Sequence, residues 1–266
     1  MSKYYTAQRD KGLYEPGGTK PFKLSRSKID LFISCPRCFY LDRRLGVGRP
    51  PGFPFALNSA VDTLLKQEFD THRVAGTRHP LIEQYGVNAR PVAHENLEQW
   101  RHNFTGVQYL HEKTNFQVFG AIDDLWINEA GEYIVVDYKA TAKEEAITTL
   151  DKDWHDGYKR QMEIYQWLLR HNGHKVSDTG YFVYCNGRAD RAAFDKKLEF
   201  DVTLIPYKGS DEWVEGKINE AYGCLNSDEV PVSYPECDYC SYIKAVESHE
   251  GAKGASASKK AQGKLF

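Results

Sequence analysis

Apolar and polar residues follow two different periods along the chain, and each period predicts a different kind of element. Apolar residues recur at helical spacing in four stretches. These stretches are residues 24–45, 57–69, 158–170 and 211–225. The segment 79–104 is also predicted to be helical, with breaks at Gly86 and Pro91. The chain is therefore expected to contain several amphipathic helices.

Strands are predicted where short runs are rich in β-branched and aromatic residues. These runs are residues 107–110, 116–127, 133–136, 176–185 and 193–205. The last two flank the turn signal Asn186-Gly187. Residues 1–20 contain several glycines and little periodicity, so we expect an irregular leader there. The chain thus mixes helices with strands.

The stretch 120–139 predicts a β-hairpin with a Gly-containing turn at 129–132. Asp123 lies on its first strand. Asp137 and Lys139 close the second strand and, being two residues apart, point to the same face. Pairing across the hairpin is expected to bring Asp123 to that face. Two carboxylates beside an ammonium suit a hard metal ion and metal-assisted phosphodiester hydrolysis, although Asp-x-Lys alone is a common tripeptide at strand ends and more often forms a solvated ion pair.

Composition and charge limit the class of protein. Of the 266 residues, 41% are hydrophobic and 13% aromatic, enough to bury a core. No apolar run approaches the roughly 18 residues of a membrane span, and the N-terminus lacks a signal-peptide core. We therefore expect a cytoplasmic protein without membrane contact.

The net charge of −2 gives no global signal for a nucleic-acid partner. Any such surface must then be a local basic patch. Candidates for phosphate contacts are Arg37, Arg43, Arg44, Lys159 and Arg160. A solvated face explains each of them equally well.

The cysteines carry a second signal, because four of the six form two closely spaced pairs. The pairs are Cys35-x-x-Cys38 and Cys237-x-x-Cys240. In a cytoplasmic chain this spacing favours metal ligation over disulfides. Four thiolates complete one closed site that ties the N-terminal helix to the C-terminal segment. The ligand count fits Zn²⁺ or an iron-sulfur cluster.

Three motifs in a row follow a recognisable order. They are Gly120-Ala-Ile-Asp123, then Asp137-Tyr-Lys139, then Gln161-x-x-x-Tyr165 on a predicted helix. This order resembles the PD-(D/E)XK nuclease superfamily and, more narrowly, its RecB-like branch, which includes the CRISPR-adaptation iron-sulfur nucleases. Cys35-Pro36 in the opening helix resembles the same branch. A CRISPR role is not implied, since similar domains serve recombination, phage replication and repair.

The resemblance implies a fold and a set of site residues. The fold is an α/β restriction-endonuclease-like core, a mixed central sheet flanked by helices, with the four-cysteine clasp. Asp123 and Asp137 become metal ligands for Mg²⁺ or Mn²⁺, and Lys139 becomes the catalytic cation. Gln161 and Tyr165, four residues apart on one helical face, become supporting contacts to substrate or water.

Two positions depart from the family pattern. Asp62 stands on the helix 57–69 where the family usually has a histidine metal ligand. Asp62 is therefore a candidate third ligand, with an ordinary exposed helix residue as the alternative. The related nucleases often hold a 4Fe-4S cluster with one upstream and three downstream cysteines, whereas this chain has two and two. The resemblance favours the 4Fe-4S cluster, and Zn²⁺ stays open.

The C-terminal end has its own composition. Residues 249–261 are rich in Gly, Ala, Ser and Lys and predict a flexible linker. The following peptide 262–266 places Gln262 before Leu265 and Phe266, which resembles the short peptides that bacterial replication and repair proteins insert into the sliding clamp. An arbitrary tail is the alternative.

The predicted organisation is a leader at 1–20, a nuclease domain at 21–248, a linker at 249–261 and a clamp-binding peptide at 262–266. The predicted function is a divalent-metal-dependent DNA nuclease of replication, recombination or repair. The alternative is a DNA-binding or clamp-associated accessory protein that keeps the nuclease fold without hydrolysis.

Overall fold

The computed structural model describes residues 6–52, 55–145 and 147–262, with side chains described up to residue 250. The helices are α1 Arg26–Ser34, α2 Pro36–Arg44, α3 Ala56–Ala75, α4 Pro80–Gln84, α5 Leu97–Arg101, α6 Asp156–His171, α7 Glu212–Asn226 and α8 Asp238–Gln262. A 3-10 turn at Asp153–His155 leads into α6. The strands are β1 Phe22–Ser25, β2 Ala89–Pro91, β3 Val107–His111, β4 Phe116–Gly120, β5 Asp124–Asn128, β6 Tyr133–Thr141, β7 Thr179–Gly187 and β8 Phe200–Lys208.

The chain divides into two compact units. The terminal unit comprises residues 1–18, 31–51 and 220–266, and the sheet unit comprises residues 19–30 and 52–219. Among the described helices of both units, none has the length and apolarity that crossing a bilayer requires. The two units carry different candidate chemistry and are described separately.

A five-stranded mixed sheet forms the centre of the sheet unit, in the order β2-β5-β6-β7-β8. Strands β6 and β7 are parallel, and the other neighbours are antiparallel. Alternate residues of β6 face opposite ways. Val136 and Tyr138 pack with Phe69 of α3 in one core, whereas Asp137 turns toward Gln161 of α6. The mixed sheet flanked by helices that the sequence predicted is confirmed.

A smaller sheet in the same unit has the order β1-β4-β3, with β1 parallel to β4. Helix α6 packs against β3 and β4 as well as β6. Its buried face is broad and largely apolar, which explains why its sequence signal was strong. The buried apolar residues of this face are Met162, Ile164, Tyr165, Trp167, Leu168 and Leu169.

The predicted first strand of the hairpin, 116–127, is in fact two strands in different sheets. Strand pairing in the small sheet ends at Gly120, and strand pairing in the large sheet begins at Asp124. The break occurs where Gly120 lies against the Tyr165 ring, so closely that a Cβ atom there would stand 2.6 Å from it. Asp123 therefore lies in a bend and not on a strand. The second half of the hairpin, with its turn at 129–132, is confirmed.

Two other segments differ from the predicted pattern. Within 79–104 the structure places a short strand, β2, between helices α4 and α5. Asn186 and Gly187 belong to β7, and the chain returns only at Phe200. The intervening loop is held by ion pairs from Arg188 to Asp190 and Asp201. Polar tertiary contacts of this kind leave no periodic signal in the sequence.

The terminal unit gathers the leader, α2 and the start of α8. The described part of the leader, residues 6–20, has no helix or strand, and Arg9 pairs with Asp42 at 2.6 Å. Helix α8 continues through 249–261, where composition predicted a flexible linker. Alanine and lysine, which are frequent there, have high helix propensity. The side chain of Gln262 and all of Leu265 and Phe266 lie outside the described residues.

Candidate active site

The three hairpin residues predicted to share one face do meet in the sheet unit. Asp123 lies in the bend before β5, and its Oδ2 accepts a hydrogen bond from the Tyr138 backbone N–H at 2.9 Å. Asp137 and Lys139 both stand on β6, and the Lys139 ammonium contacts Asp137 Oδ2. The backbone of β6 thus holds the Asp123 carboxylate close to Asp137.

Helix α6 adds Gln161 and Tyr165 to this group. Gln161 Nε2 donates to Asp137 Oδ1 at 2.7 Å and to the Tyr165 hydroxyl at 3.0 Å. Gln161 Oε1 accepts from Lys139 Nζ at 3.3 Å. One buried amide therefore connects the carboxylate, the ammonium and the phenol, because positions four apart lie on one helical face.

Asp62 of α3 is connected to Asp123 through Lys66. Lys66 Nζ lies 2.8 Å from Asp62 Oδ2 and 3.7 Å from Asp123 Oδ1. The Asp62 side chain is only 33% exposed. Burial raises the pKa of Asp62, and the nearby Asp123 carboxylate adds to that rise while Lys66 opposes it. The structure thus places Asp62 near the Asp123 carboxylate, unlike an ordinary solvated helix residue.

Burial dominates the electrostatics of Asp137 and Lys139. Asp137 is fully buried, and this burial, with the Asp123 charge, raises its pKa to about 7 despite the opposing Lys139 ammonium. Burial disfavours the charge on Lys139, yet the Asp137 and Asp123 carboxylates outweigh it and raise the Lys139 pKa. The ammonium also lies 4.4 Å from the centroid of the Tyr158 ring. Lys139 is therefore held as a cation in a protected position.

The donor atoms of this group are of the chemical type that a hard divalent cation prefers. Asp137 Oδ2 is buried and lies against the Lys139 ammonium. A buried carboxylate needs such a positive partner, because burying an unpaired charge costs free energy. Asp123 and Asp62 supply further carboxylate oxygens nearby, and oxygen ligands are those that Mg²⁺ and Mn²⁺ prefer. Glu112, a weaker candidate from its position before the hairpin, is exposed in the turn after β3.

Sequence reasoning missed the buried carboxylate of Asp124, the neighbour of Asp123. It accepts hydrogen bonds from Arg73, from Arg101 at 2.7 Å, from Trp126 Nε1 at 3.0 Å and from the Tyr138 hydroxyl at 2.9 Å. Arg101 also donates to the Asp123 backbone carbonyl at 3.1 Å. This network holds the bend that carries Asp123. The sequence signal for this buried carboxylate was the Asp-Asp pair before an apolar strand, because one of two adjacent residues there must point into the protein interior.

The four paired cysteines form a second site, in the terminal unit. All four Sγ atoms lie within 4.8 Å of one another, and every one of these residues is buried. The shorter separations are 3.6 Å from Cys38 to Cys237, 3.6 Å from Cys38 to Cys240 and 3.9 Å from Cys35 to Cys240. The predicted meeting of the N- and C-terminal pairs is thus confirmed. Four converging thiols are a ligand set for a soft or borderline metal.

Four of the five basic residues proposed for phosphate contacts have partners within the protein. Arg43 donates to the Gly12 carbonyl at 3.0 Å and Arg44 to the Tyr14 carbonyl at 3.4 Å. In the sheet unit Lys159 pairs with Asp156, and Arg160 with Asp30 at 2.6 Å. Arg37 is half-buried. Phosphate contacts by these residues stay a prediction.

Comparison with known proteins gives one family. The family model of the PD-(D/E)XK nuclease superfamily matches residues 48–245, well over half of the chain. A search of curated protein sequences finds no significant match. The matched range contains every residue of the carboxylate group but begins after Cys35 and Cys38.

Proposed function

Because the chain belongs to the PD-(D/E)XK nuclease superfamily, we propose that it is a divalent-metal-dependent deoxyribonuclease of the RecB-like type. We place its action in the cytoplasm, in DNA replication, recombination or repair. One observation carries the proposal: the Lys139 ammonium contacts Asp137, Gln161 bonds both of these residues, and the Tyr138 backbone N–H holds Asp123 beside them. A module that only binds DNA needs no buried ammonium paired with a fully buried carboxylate.

In the proposed reaction Asp123 and Asp137 would hold Mg²⁺ or Mn²⁺, with Asp62 as a third ligand. An ion held there would supply Lewis-acid chemistry: it would polarise the phosphoryl oxygen and lower the pKa of the attacking water. Lys139 stabilises the negative charge that develops on the phosphoryl group, and its buried setting strengthens that interaction. The protein positions Lys139 beforehand through Asp137, Gln161 and the Tyr158 ring.

Gln161 and Tyr165 act as supporting residues in this proposal. Gln161 fixes the orientation of the Asp137 carboxylate by donating to its Oδ1, while Oδ2 lies against the Lys139 ammonium. Tyr165 accepts a hydrogen bond from Gln161, so its own O–H stays available as a donor. Burial raises the pKa of Tyr165, which keeps that proton in place. The phenol can thus donate to a water or to a phosphate oxygen.

The test is a Mg²⁺ and Mn²⁺ titration of the full chain on labelled single- and double-stranded DNA. We expect metal-dependent cleavage that falls about 10²–10³-fold in Lys139→Ala, the loss typical of one stabilising group. Lys113→Ala, at an exposed lysine in the β3–β4 turn, is the matched control and should cut like the wild type. Binding of DNA without cleavage under either metal would favour the non-hydrolytic accessory protein instead.

For the cysteine site we propose a bound structural metal. The resemblance favoured a 4Fe-4S cluster, but the three shorter sulfur separations of 3.6–3.9 Å, with all four sulfurs within 4.8 Å, suit thiolates around one tetrahedral ion. Thiolates ~2.3 Å from a single Zn²⁺ stand roughly 3.8 Å apart. A 4Fe-4S cluster binds each thiolate to a different iron and so holds the sulfurs farther apart. We therefore favour Zn²⁺, the alternative that the ligand count left open.

Anaerobic purification followed by metal analysis distinguishes bound Zn²⁺ from a 4Fe-4S cluster. Colourless protein with about one equivalent of zinc is the expected result. A broad absorbance band near ~400 nm with stoichiometric iron and sulfide would establish the cluster instead.

We also propose that Gln262, Leu265 and Phe266 bind a sliding clamp. The Leu and Phe side chains would fill an apolar pocket, and the Gln amide would hydrogen-bond at its rim. Deletion of residues 262–266 should abolish capture by immobilised clamp while leaving cleavage of free DNA unchanged. Equal capture of the full and the shortened chain would eliminate this role.

A further inference from the structure

Lys66 lies one helical turn after Asp62 and brings a second ammonium to the candidate active site. Its Nζ stands 2.8 Å from Asp62 Oδ2 and 3.7 Å from Asp123 Oδ1. The Lys139 ammonium contacts Asp137. Lys66 instead contacts the carboxylates that come from α3 and from the bend before β5. No sequence motif singled it out.

The oxygens that Lys66 contacts are those that a metal would need. The second oxygen of Asp123, Oδ2, is already occupied by the Tyr138 backbone N–H. Oδ1 is therefore the oxygen of Asp123 through which a cation would bind, and it is the one that faces Lys66. The same ammonium holds Asp62 Oδ2. A divalent ion held by Asp62 and Asp123 would therefore meet the Lys66 ammonium at Asp123 Oδ1 and at the Asp62 carboxylate.

The lysine side chain is able to move away from these oxygens. It is 23% exposed, so its ammonium borders solvent. Four rotatable bonds connect a compact, strongly hydrated charge to the backbone, which makes lysine a mobile counter-ion. Lys139, which is 14% exposed and bonded to Gln161, is more constrained.

We propose that Lys66 is an internal competitor of the catalytic metal: its ammonium must leave Asp62 and Asp123 before a divalent cation binds both carboxylates. The inference rests on the proposed function, because it takes Asp62 and Asp123 as metal ligands. The consequence is a higher divalent-ion concentration for half-maximal binding than the carboxylates alone would set. Lys66 in this way protects DNA from cleavage when the divalent ion is scarce.

The experiment is a Mn²⁺ titration of the full chain, followed by the electron paramagnetic resonance signal of free Mn²⁺ and without DNA. Removing the ammonium that contacts these carboxylates should strengthen binding at least about tenfold in Lys66→Gln. Lys66→Arg keeps the charge and should bind like the wild type. Lys113→Gln changes the net charge equally at a distant exposed position and should also leave the affinity unchanged. Far-UV circular dichroism verifies that each variant is folded.

A fourth variant, Asp123→Asn, tells a failed inference from a failed metal site. If Asp123→Asn weakens Mn²⁺ binding but Lys66→Gln binds no tighter than the wild type, the metal site stands and the competitor role is overturned. If Asp123→Asn binds as well as the wild type, Asp123 is not a ligand and both ideas fail. Tighter binding by Lys66→Gln and by Lys113→Gln alike would show a global charge effect and would also overturn the competitor role.

Discussion

Asp123 and Asp124 are adjacent and chemically identical, yet the structure gives them opposite environments. Asp123 is 24% exposed and faces Lys66 across 3.7 Å. Asp124 has no exposed surface and is surrounded by hydrogen-bond donors from Arg73, Arg101, Trp126 and Tyr138. One carboxylate is thus available for chemistry, and the other anchors the bend that presents it.

This contrast predicts separable effects for two matched substitutions. Asp124→Asn removes the buried counter-charge of Arg73 and Arg101, which keep only partly exposed carboxylates such as Asp70, and should lower the free energy of unfolding by about 3 kcal/mol. Asp123→Asn removes a charge from a partly exposed position and should change stability by less than about 1 kcal/mol while abolishing cleavage. Urea unfolding of both variants, paired with the cleavage assay, makes the comparison. Equal destabilisation by the two substitutions would contradict the anchor role of Asp124.

At this scale the sequence predicted the residues that belong to a contiguous motif. Asp137 and Lys139 share a strand face, and Gln161 and Tyr165 share a helical face, so local periodicity was sufficient to group each pair. Lys66, Arg73 and Arg101 come from other elements and meet the motif only after folding. Their polar contacts depend on tertiary geometry, which periodicity does not encode.

At the scale of elements, the contact between β4 and α6 determines how the site is assembled. Gly120 ends β4 beneath the buried ring of Tyr165, and the Arg26 side chain borders the same point. Any Cβ at position 120 would stand 2.6 Å from the ring and 3.3 Å from Arg26 Cβ. The absence of a side chain at Gly120 therefore allows α6 to bring Gln161 to Asp137.

Gly120→Ala should consequently damage both stability and activity. Overpacking against a buried ring costs about 1–3 kcal/mol, and displacing Tyr165 weakens its bond to Gln161. Gly157→Ala, near the start of the same helix, is the control because its nearest neighbour, Arg160 Nη2, is 3.8 Å away. That variant should be neutral or slightly stabilising. Thermal unfolding and cleavage rates of the two proteins test the prediction, and a wild-type-like Gly120→Ala would refute it.

Element boundaries were predictable where a single helix or turn carried the pattern. Helix α6 and the β5–β6 turn lie where apolar spacing and turn residues placed them. The transfer of the chain between two sheets at residues 121–123 was not predictable, because both flanking strands read as one apolar run. The short strand β2 was not predicted either, because it is an edge strand that is stabilised by pairing with β5 and not by a local sequence pattern.

At the scale of the whole molecule, the terminal unit depends on residues from both ends of the chain. Cys35 and Cys38 lie between the two sequence segments of the sheet unit, 19–30 and 52–219, and Cys237 and Cys240 follow the second segment. The thiols are buried among one another, with Arg49 Nη2 3.3 Å from Cys237 Sγ. Buried thiolates at such distances are stable together only around a cation.

Removal of one ligand should therefore release the metal and loosen the terminal unit. Cys38→Ser is expected to lose bound metal and to become more sensitive to limited proteolysis near residues 31–51. Cys185→Ser, at a buried cysteine of β7 outside the quartet, should retain the full metal content. Metal analysis of both variants decides the point. Full metal content in Cys38→Ser would show that the quartet is not the binding site.

The separation of the two cysteine pairs has a practical consequence for recombinant expression. A fragment trimmed to the family boundaries, 48–245, would retain Cys237 and Cys240 but lose both of their partners, together with strand β1. The two remaining thiols would be open to air oxidation and to cross-linking between molecules. A fragment intended for crystallisation should instead begin before Phe22 and extend past Cys240.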